Sequence, residues 1–188
     1  MILNKGTINL ITHPNILTLA RVAAIPLFVG LLIFPNRLCT ALAALLFSAA
    51  AITDYFDGYY ARARGLVSNF GKMMDPLADK LMVSSALIML VSHNWVPAWM
   101  ICIIIGRELA VTGLRVVVAD SGEDASASML GKYKTGFQIA AIIPLLIHFS
   151  YFGINFSAIG MFFLWCALVF TIWSGADYFV NFRKLLKS

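Results

Sequence analysis

Four aspartates stand in one short stretch, DYFDGYYARARGLVSNFGKMMDPLADK, residues 54–80. Asp54 and Asp57 are three apart, and Asp75 and Asp79 are four apart. Both spacings set a pair on one face of a helix. A short turn between the two helices lets the faces meet, so that four carboxylates converge. Carboxylates that close raise one another's pKa and need compensation. Arg62, Arg64, Lys72 and Lys80 can supply it. So can divalent cations, because hard oxygen ligands on short side chains suit magnesium, manganese or calcium. Two metals about 3.5–4 Å apart fit an in-line phosphoryl transfer. Gly58, Ala61 and Gly71 leave room on the same faces for a bulky ligand, or for a close helix–helix contact. A salt-bridge network or an ion path uses the same residue types, and spacing alone leaves these readings open.

The elements that must position these groups are membrane helices. The chain has 188 residues, of which 61% are hydrophobic and 12% charged, with a mean hydropathy of +0.86. Soluble domains average about 45–50% apolar and about 25% charged, so a water-soluble fold would lack polar surface to cover itself. About 20 mostly apolar residues cross a bilayer. Six such spans are expected, near 15–35, 38–61, 71–92, 96–118, 133–152 and 154–179, forming one all-α membrane domain over residues 1–188. Residues 135–176 hold no Asp, Glu, Lys or Arg, and HFSYFGINFS divides that run in two. The stretch before His13 reads as a short surface helix, with no signal-peptide pattern.

Six spans put both termini on one side. Arg37 alone among the 14 Lys and Arg falls opposite. That bias sets the termini, the aspartate hairpin and the loop 119–132 in the cytoplasm. The net charge of +5 suits a cytoplasmic face beside anionic lipid and calls for no nucleic acid. Cys39, Cys102 and Cys166 lie in apolar runs and read as buried hydrophobes.

The full order is Asp54-x-x-Asp57-Gly58-x-x-Ala61-Arg62, eight residues, Gly71-x-x-x-Asp75-x-x-x-Asp79. It resembles, position for position, the signature of the CDP-alcohol phosphotransferases. That family's members are six-span membrane enzymes that move a substituted phosphate from a CDP-linked donor to an alcohol and release CMP. PNILTLARVAAIPLF (14–28), GRELAVTGLR (106–115) and GKYKT (131–135) look like the bacterial branch that joins CDP-diacylglycerol to sn-glycerol 3-phosphate. The resemblance implies that Asp54, Asp57, Asp75 and Asp79 ligate two divalent cations, Mg2+ or Mn2+. Asp79 doubles as the general base. Gly58, Ala61, Arg62 and Gly71 join the aspartates around the CDP portion. A homodimer in the cell (inner) membrane is implied as well.

A glycerol 3-phosphate acceptor brings a phosphate dianion, which needs fixed cations. Arg21, Arg107, Arg115, Lys132 and Lys134 are the candidates, all toward the cytoplasmic end of their spans. Arg107 has one acid beside it, Glu108, and snorkelling to the interface is its bland alternative. Asn15, Thr18 and Thr135 are possible support, with helix capping the alternative for Asn15 and Thr135. The basic set favours a phosphorylated acceptor over serine and leaves inositol phosphate open. An intramembrane prenyltransferase and a cation transporter are the rivals from other classes. The Gly58, Ala61, Arg62 and Gly71 spacing and the count of only six spans argue against the first, and the acids gathering once near one face, with no second copy of the pattern in residues 96–188, argue against the second.

Overall fold

The computed structural model describes residues 13–64, 69–120, 129–151 and 153–185, with the backbone alone at 13–19, 54–64, 69–76, 115–120, 129–130, 132, 151 and 181–185. The described chain is helical apart from one two-stranded hairpin. The helices are α1 (His13–Ile33), α2 (Arg37–Arg64), α3 (Asn69–Ser92), α4 (Ala98–Asp120), α5 (Met129–Ile147) and α6 (Phe156–Leu185), with β1 (Ser150–Tyr151) and β2 (Ile154–Asn155) between the last two. Residues group into two compact units, Met1–Met89 and Leu90–Ser188.

In the first unit α1 packs on α2. Phe28 and Leu32, one turn apart on α1, are fully buried, as are Ala43 and Phe47 on α2. The Phe28 and Phe47 rings meet at 6.2 Å between centroids. The chain turns at Pro35–Asn36, where Asn36 Oδ1 accepts a bond from the Cys39 amide at 2.9 Å. That is an N-cap for α2, satisfying an amide with no intrahelical partner. On α3 the buried set Ala78, Met82, Ala86 and Leu87 recurs at helical spacing.

The second unit is built on α5 and α6, which pack closely, with α4 against α6. Ile142 and Leu145 on α5, Leu164 on α6 and Met100 and Ile104 on α4 are fully buried. Gly160 sets the closeness of α5 and α6. A Cβ there would lie 2.5 Å from Leu145 Cγ, 2.9 Å from the Leu145 nitrogen and 3.0 Å from the Ala141 oxygen. Two of those neighbours are backbone, so the helices themselves would have to part. Gly160→Ala is expected to destabilise the detergent-solubilised protein by about 1–3 kcal/mol. Thermal unfolding checks this, and an unchanged midpoint would refute it.

Turn chemistry closes α3 and α5. At the end of α3 the Trp95 amide bonds the Leu90 oxygen at 3.0 Å and the Asn94 amide bonds Val91 at 2.9 Å, with Asn94 at φ 58°. This is a Schellman motif, which needs a left-handed residue that Asn tolerates. His148, at φ 56°, closes α5 by bonding its amide to the Pro144 oxygen at 3.0 Å. β1 and β2 then pair antiparallel around Gly153, with Ser150 opposite Asn155. Gly153 takes φ 78°, a conformation a two-residue hairpin turn demands. Asn155 Oδ1 accepts from the Ala158 amide at 3.1 Å and caps α6. The fifth helix therefore stops at Ile147, five residues short of the expected 152, because these turns intervene. The sixth runs on to Leu185, since charged residues extend a helix past its apolar part. Asn15 lies within the first turn of α1, which starts at His13, and so is not its cap.

His148 stacks on Trp95 at 3.9 Å between centroids and 11° between planes. Burial of the ring, with a smaller contribution from His93, lowers its pKa below the ordinary histidine value. The unfolded chain therefore binds this proton more readily than the folded one. Stability is intact above the ordinary histidine pKa of about 6.5 and falls as pH drops through it. Between about pH 7.5 and pH 5.5 the unfolding temperature should fall modestly, and less in His148→Asn, which keeps the left-handed backbone. Equal slopes for the two proteins would count against the assignment.

Among the described residues one helical segment, Phe156–Val180, is long and apolar enough by itself to cross a membrane, with mean hydropathy 2.0. Ala20–Ile33, Arg37–Thr53 and Tyr133–Ile147 are shorter apolar stretches. Large apolar side chains also stand outward: Phe34, Leu38, Leu45, Leu109 and Phe162 are each more than 60% exposed.

Candidate active site

The aspartates fall on the two helix ends that flank residues 65–68. Asp54, Asp57, Gly58, Ala61 and Arg62 lie on α2, and Gly71, Asp75 and Asp79 on α3. Asp54 is ten residues before the end of α2 (64 − 54), and Asp79 ten after the start of α3 (79 − 69). Asp57 and Asp75 are seven and six residues from the same ends (64 − 57 and 75 − 69). At about 1.5 Å per residue these positions lie near 15 Å and near 10 Å along each helix from its own end. The donor set, two carboxylates from each helix, fits hard divalent cations. The side chains of Asp54, Asp57, Gly58, Ala61, Arg62, Gly71 and Asp75 lie outside the described residues, as do the Asn15 and Thr18 side chains on α1. Asp79 is described. It is partly buried, next to the fully buried Ala78 and three residues from Met82, at the edge of the packed face of α3. Arg21, on α1, is buried at 7% exposure.

The second unit gathers a separate polar cluster from three helices. Arg107 and Glu108 are on α4, Lys134 on α5 and Ser174 on α6. Arg107 Nη1 donates to Glu108 Oε1 at 3.2 Å, and Lys134 Nζ donates to the same oxygen. Arg107 Nη2 donates to Ser174 Oγ at 2.8 Å. The Ser174 hydroxyl donates to the Thr171 oxygen at 3.3 Å. The Lys134 side chain is 4% exposed and that of Glu108 17%. Gly175 gives the guanidinium its room, since a Cβ there would come within 3.2 Å of Arg107 Cγ. Two cations meet one carboxylate in this cluster. Anion binding is what such an arrangement can do, with Arg offering a planar fork and Lys a point charge.

Of the basic residues singled out in the sequence, Arg107 and Lys134 are brought together. Arg115 is on α4 and Lys132 on α5, their side chains outside the described residues. Thr135 Oγ1 donates to the Gly131 oxygen at 3.2 Å, within its own helix; α5 begins at Met129, so Thr135 is not its cap. Glu108 and Ser174 complete the cluster although neither stood out as a site residue. Gln138, one turn along α5 from Lys134, is buried with Nε2 making no hydrogen bond among the described residues, and Thr171 Oγ1 is alike on α6. The signal that could have found Gln138 is a polar residue one turn from a basic one, in a run otherwise free of charge.

Residues 11–173 match the family model described as CDP-alcohol phosphatidyltransferase. A Bacillus subtilis (strain 168) protein named CDP-diacylglycerol–glycerol-3-phosphate 3-phosphatidyltransferase is 47% identical over 93% of this chain and 97% of its own length. Proteins of the same name from Rickettsia typhi and Salmonella typhimurium are 42% and 36% identical, each over 88% of this chain and over 94% and 91% of their own lengths.

Proposed function

The chain belongs to the CDP-alcohol phosphatidyltransferase family, and we propose that it transfers the phosphatidyl group of CDP-diacylglycerol to sn-glycerol 3-phosphate in phospholipid synthesis. The relatives' shared name supports the donor and acceptor. The observation that carries the acceptor reading is the buried pairing of Arg107 and Lys134 around one carboxylate in an otherwise apolar unit. Buried cations at that depth are functional candidates by default.

In this reading Asp54, Asp57, Asp75 and Asp79 hold two divalent cations, Mg2+ or Mn2+. When bound, those ions neutralise the pyrophosphate and the charge that builds during transfer. Gly58, Ala61, Arg62 and Gly71 surround the CDP portion. Arg21, Arg107, Arg115, Lys132 and Lys134 take the acceptor's phosphate. Asp79 removes the proton of the acceptor hydroxyl as its oxygen attacks the phosphorus that carries diacylglycerol. The bond from that phosphorus to the oxygen of CMP breaks, and CMP leaves.

The whole chain acts as one membrane domain of six spans, a homodimer in the cell membrane with its termini and active site facing the cytoplasm. The outward Phe34, Leu38, Leu45, Leu109 and Phe162 support burial in lipid. The donor's acyl tails then stay in the bilayer while its head reaches the aspartates.

The test is CMP release by the purified protein from CDP-diacylglycerol, comparing glycerol 3-phosphate, inositol phosphate and serine. Release is expected with glycerol 3-phosphate, abolished by a chelator and restored by added Mg2+ or Mn2+. Release with inositol phosphate instead would keep the family and overturn the acceptor.

A further inference from the structure

Glu108 has no part in the transfer as set out above, yet the cluster is organised around it. One of its oxygens, Oε1, accepts from Arg107 Nη1 of its own helix and from Lys134 Nζ of another. The sequence separations are one and 26 residues, so one carboxylate ties α4 to α5 at the place where two cations converge. Arg107 is held from its other side as well, by Ser174 Oγ at 2.8 Å, in the space that Gly175 leaves open. Two cations brought together without Glu108 would repel each other, and the ammonium of Lys134, on a side chain 4% exposed, would lose an ion-pair partner. Either effect moves the cations apart or outward.

We infer that Glu108 is a positioning residue for the acceptor's phosphate: it holds the Arg107 guanidinium and the Lys134 ammonium side by side and acts on the phosphate only through them. The inference rests on the reading that Arg107 and Lys134 receive that phosphate. Two effects of opposite sign make it testable. A carboxylate near a bound phosphate repels it, so if direct electrostatics dominated, removing the charge would tighten acceptor binding. If positioning dominates, removing the charge loosens it. Geometry favours positioning, because both cations already spend a donor on this one oxygen and are oriented by it. A misplacement of about 1 Å can cost about 10²-fold.

The experiment is steady-state CMP release by Glu108→Gln, Glu108→Asp, Ser174→Ala, Lys134→Met and the Glu108→Gln/Lys134→Met pair. Glu108→Gln should raise the KM for glycerol 3-phosphate about tenfold or more. The KM for CDP-diacylglycerol should stay within about twofold and kcat within about threefold. Glu108→Asp should recover part of the loss. Ser174→Ala, which releases one side of Arg107 and keeps the carboxylate, should raise the same KM by a smaller factor, and serves should Glu108→Gln fail to fold. On the Lys134→Met background Glu108→Gln should add much less than it does alone, because the two share one path. An unchanged or lowered acceptor KM in Glu108→Gln, or full additivity in the pair, would overturn the inference. So would a fall in kcat and thermal stability with KM constant, which is what a structural role alone gives. If the wild-type protein releases no CMP with glycerol 3-phosphate, or Lys134→Met leaves the acceptor KM unchanged, the acceptor reading itself has failed and the inference falls with it.

Discussion

Asp79→Asn is expected to lower CMP release about 10³-fold or more while the protein stays folded. The substitution keeps the shape of a partly buried side chain at the edge of the α3 core. It removes the negative charge and the capacity to take a proton. Asp79 stands ten residues into α3 and is both metal ligand and base in the reading proposed above. A loss there therefore falls on both metal holding and proton removal. The two contributions separate experimentally. A variant lacking only a ligand regains turnover as Mn2+ is raised, whereas one lacking the base stays slow at saturating metal. A loss of less than about tenfold, with unfolding temperature unchanged, would take Asp79 out of the reaction.

The two helices that carry the aspartates were legible in the sequence because their pattern is local. Spacings of three and four state a helical face wherever the helices end up, and the helices over 54–64 and 69–79 follow that reading. Helix ends were less legible. The apolar run after Tyr133 carries a break at HFSYFGINFS, residues 148–157, but does not say at which residue the helix stops. The stop comes from His148 in a left-handed conformation and from the hairpin around Gly153, which residue type states only weakly. The cation cluster was half legible. Arg107 and Lys134 stood out as charges in apolar helices. Glu108 and Ser174 did not, because each takes its meaning from a partner on another helix, 26 and 67 residues away in the chain. Glu108 read instead as a neighbour that quiets Arg107. A pairing across such distances has no periodic trace in one sequence. It is set by the packing of α5 on α6 and of α4 on α6, where Gly160 and Gly175 permit the close approach.

That packing bears on what Arg107 is for, and Arg107→Lys decides it. A cation that only snorkels toward the interface needs length and charge, and lysine has both. The observed side chain does something lysine cannot. Nη1 bonds Glu108 at 3.2 Å while Nη2 bonds Ser174 at 2.8 Å, a division of labour across one rigid plane. An ammonium in its place offers a single nitrogen, which cannot satisfy a carboxylate on one side, a hydroxyl on the other and an incoming phosphate in fixed directions. Arg107→Lys is therefore expected to raise the KM for glycerol 3-phosphate by about 10–100-fold. The KM for CDP-diacylglycerol and the unfolding temperature should change little, since the net charge of the cluster is kept. A near wild-type acceptor KM would mean that charge alone suffices, and would return Arg107 to the interface role. A matching rise in both substrates' KM values would instead place Arg107 in the packing that both substrates depend on. A rise confined to the acceptor ties the fork geometry of a single guanidinium, fixed by α4 and α6, to the recognition of one phosphate.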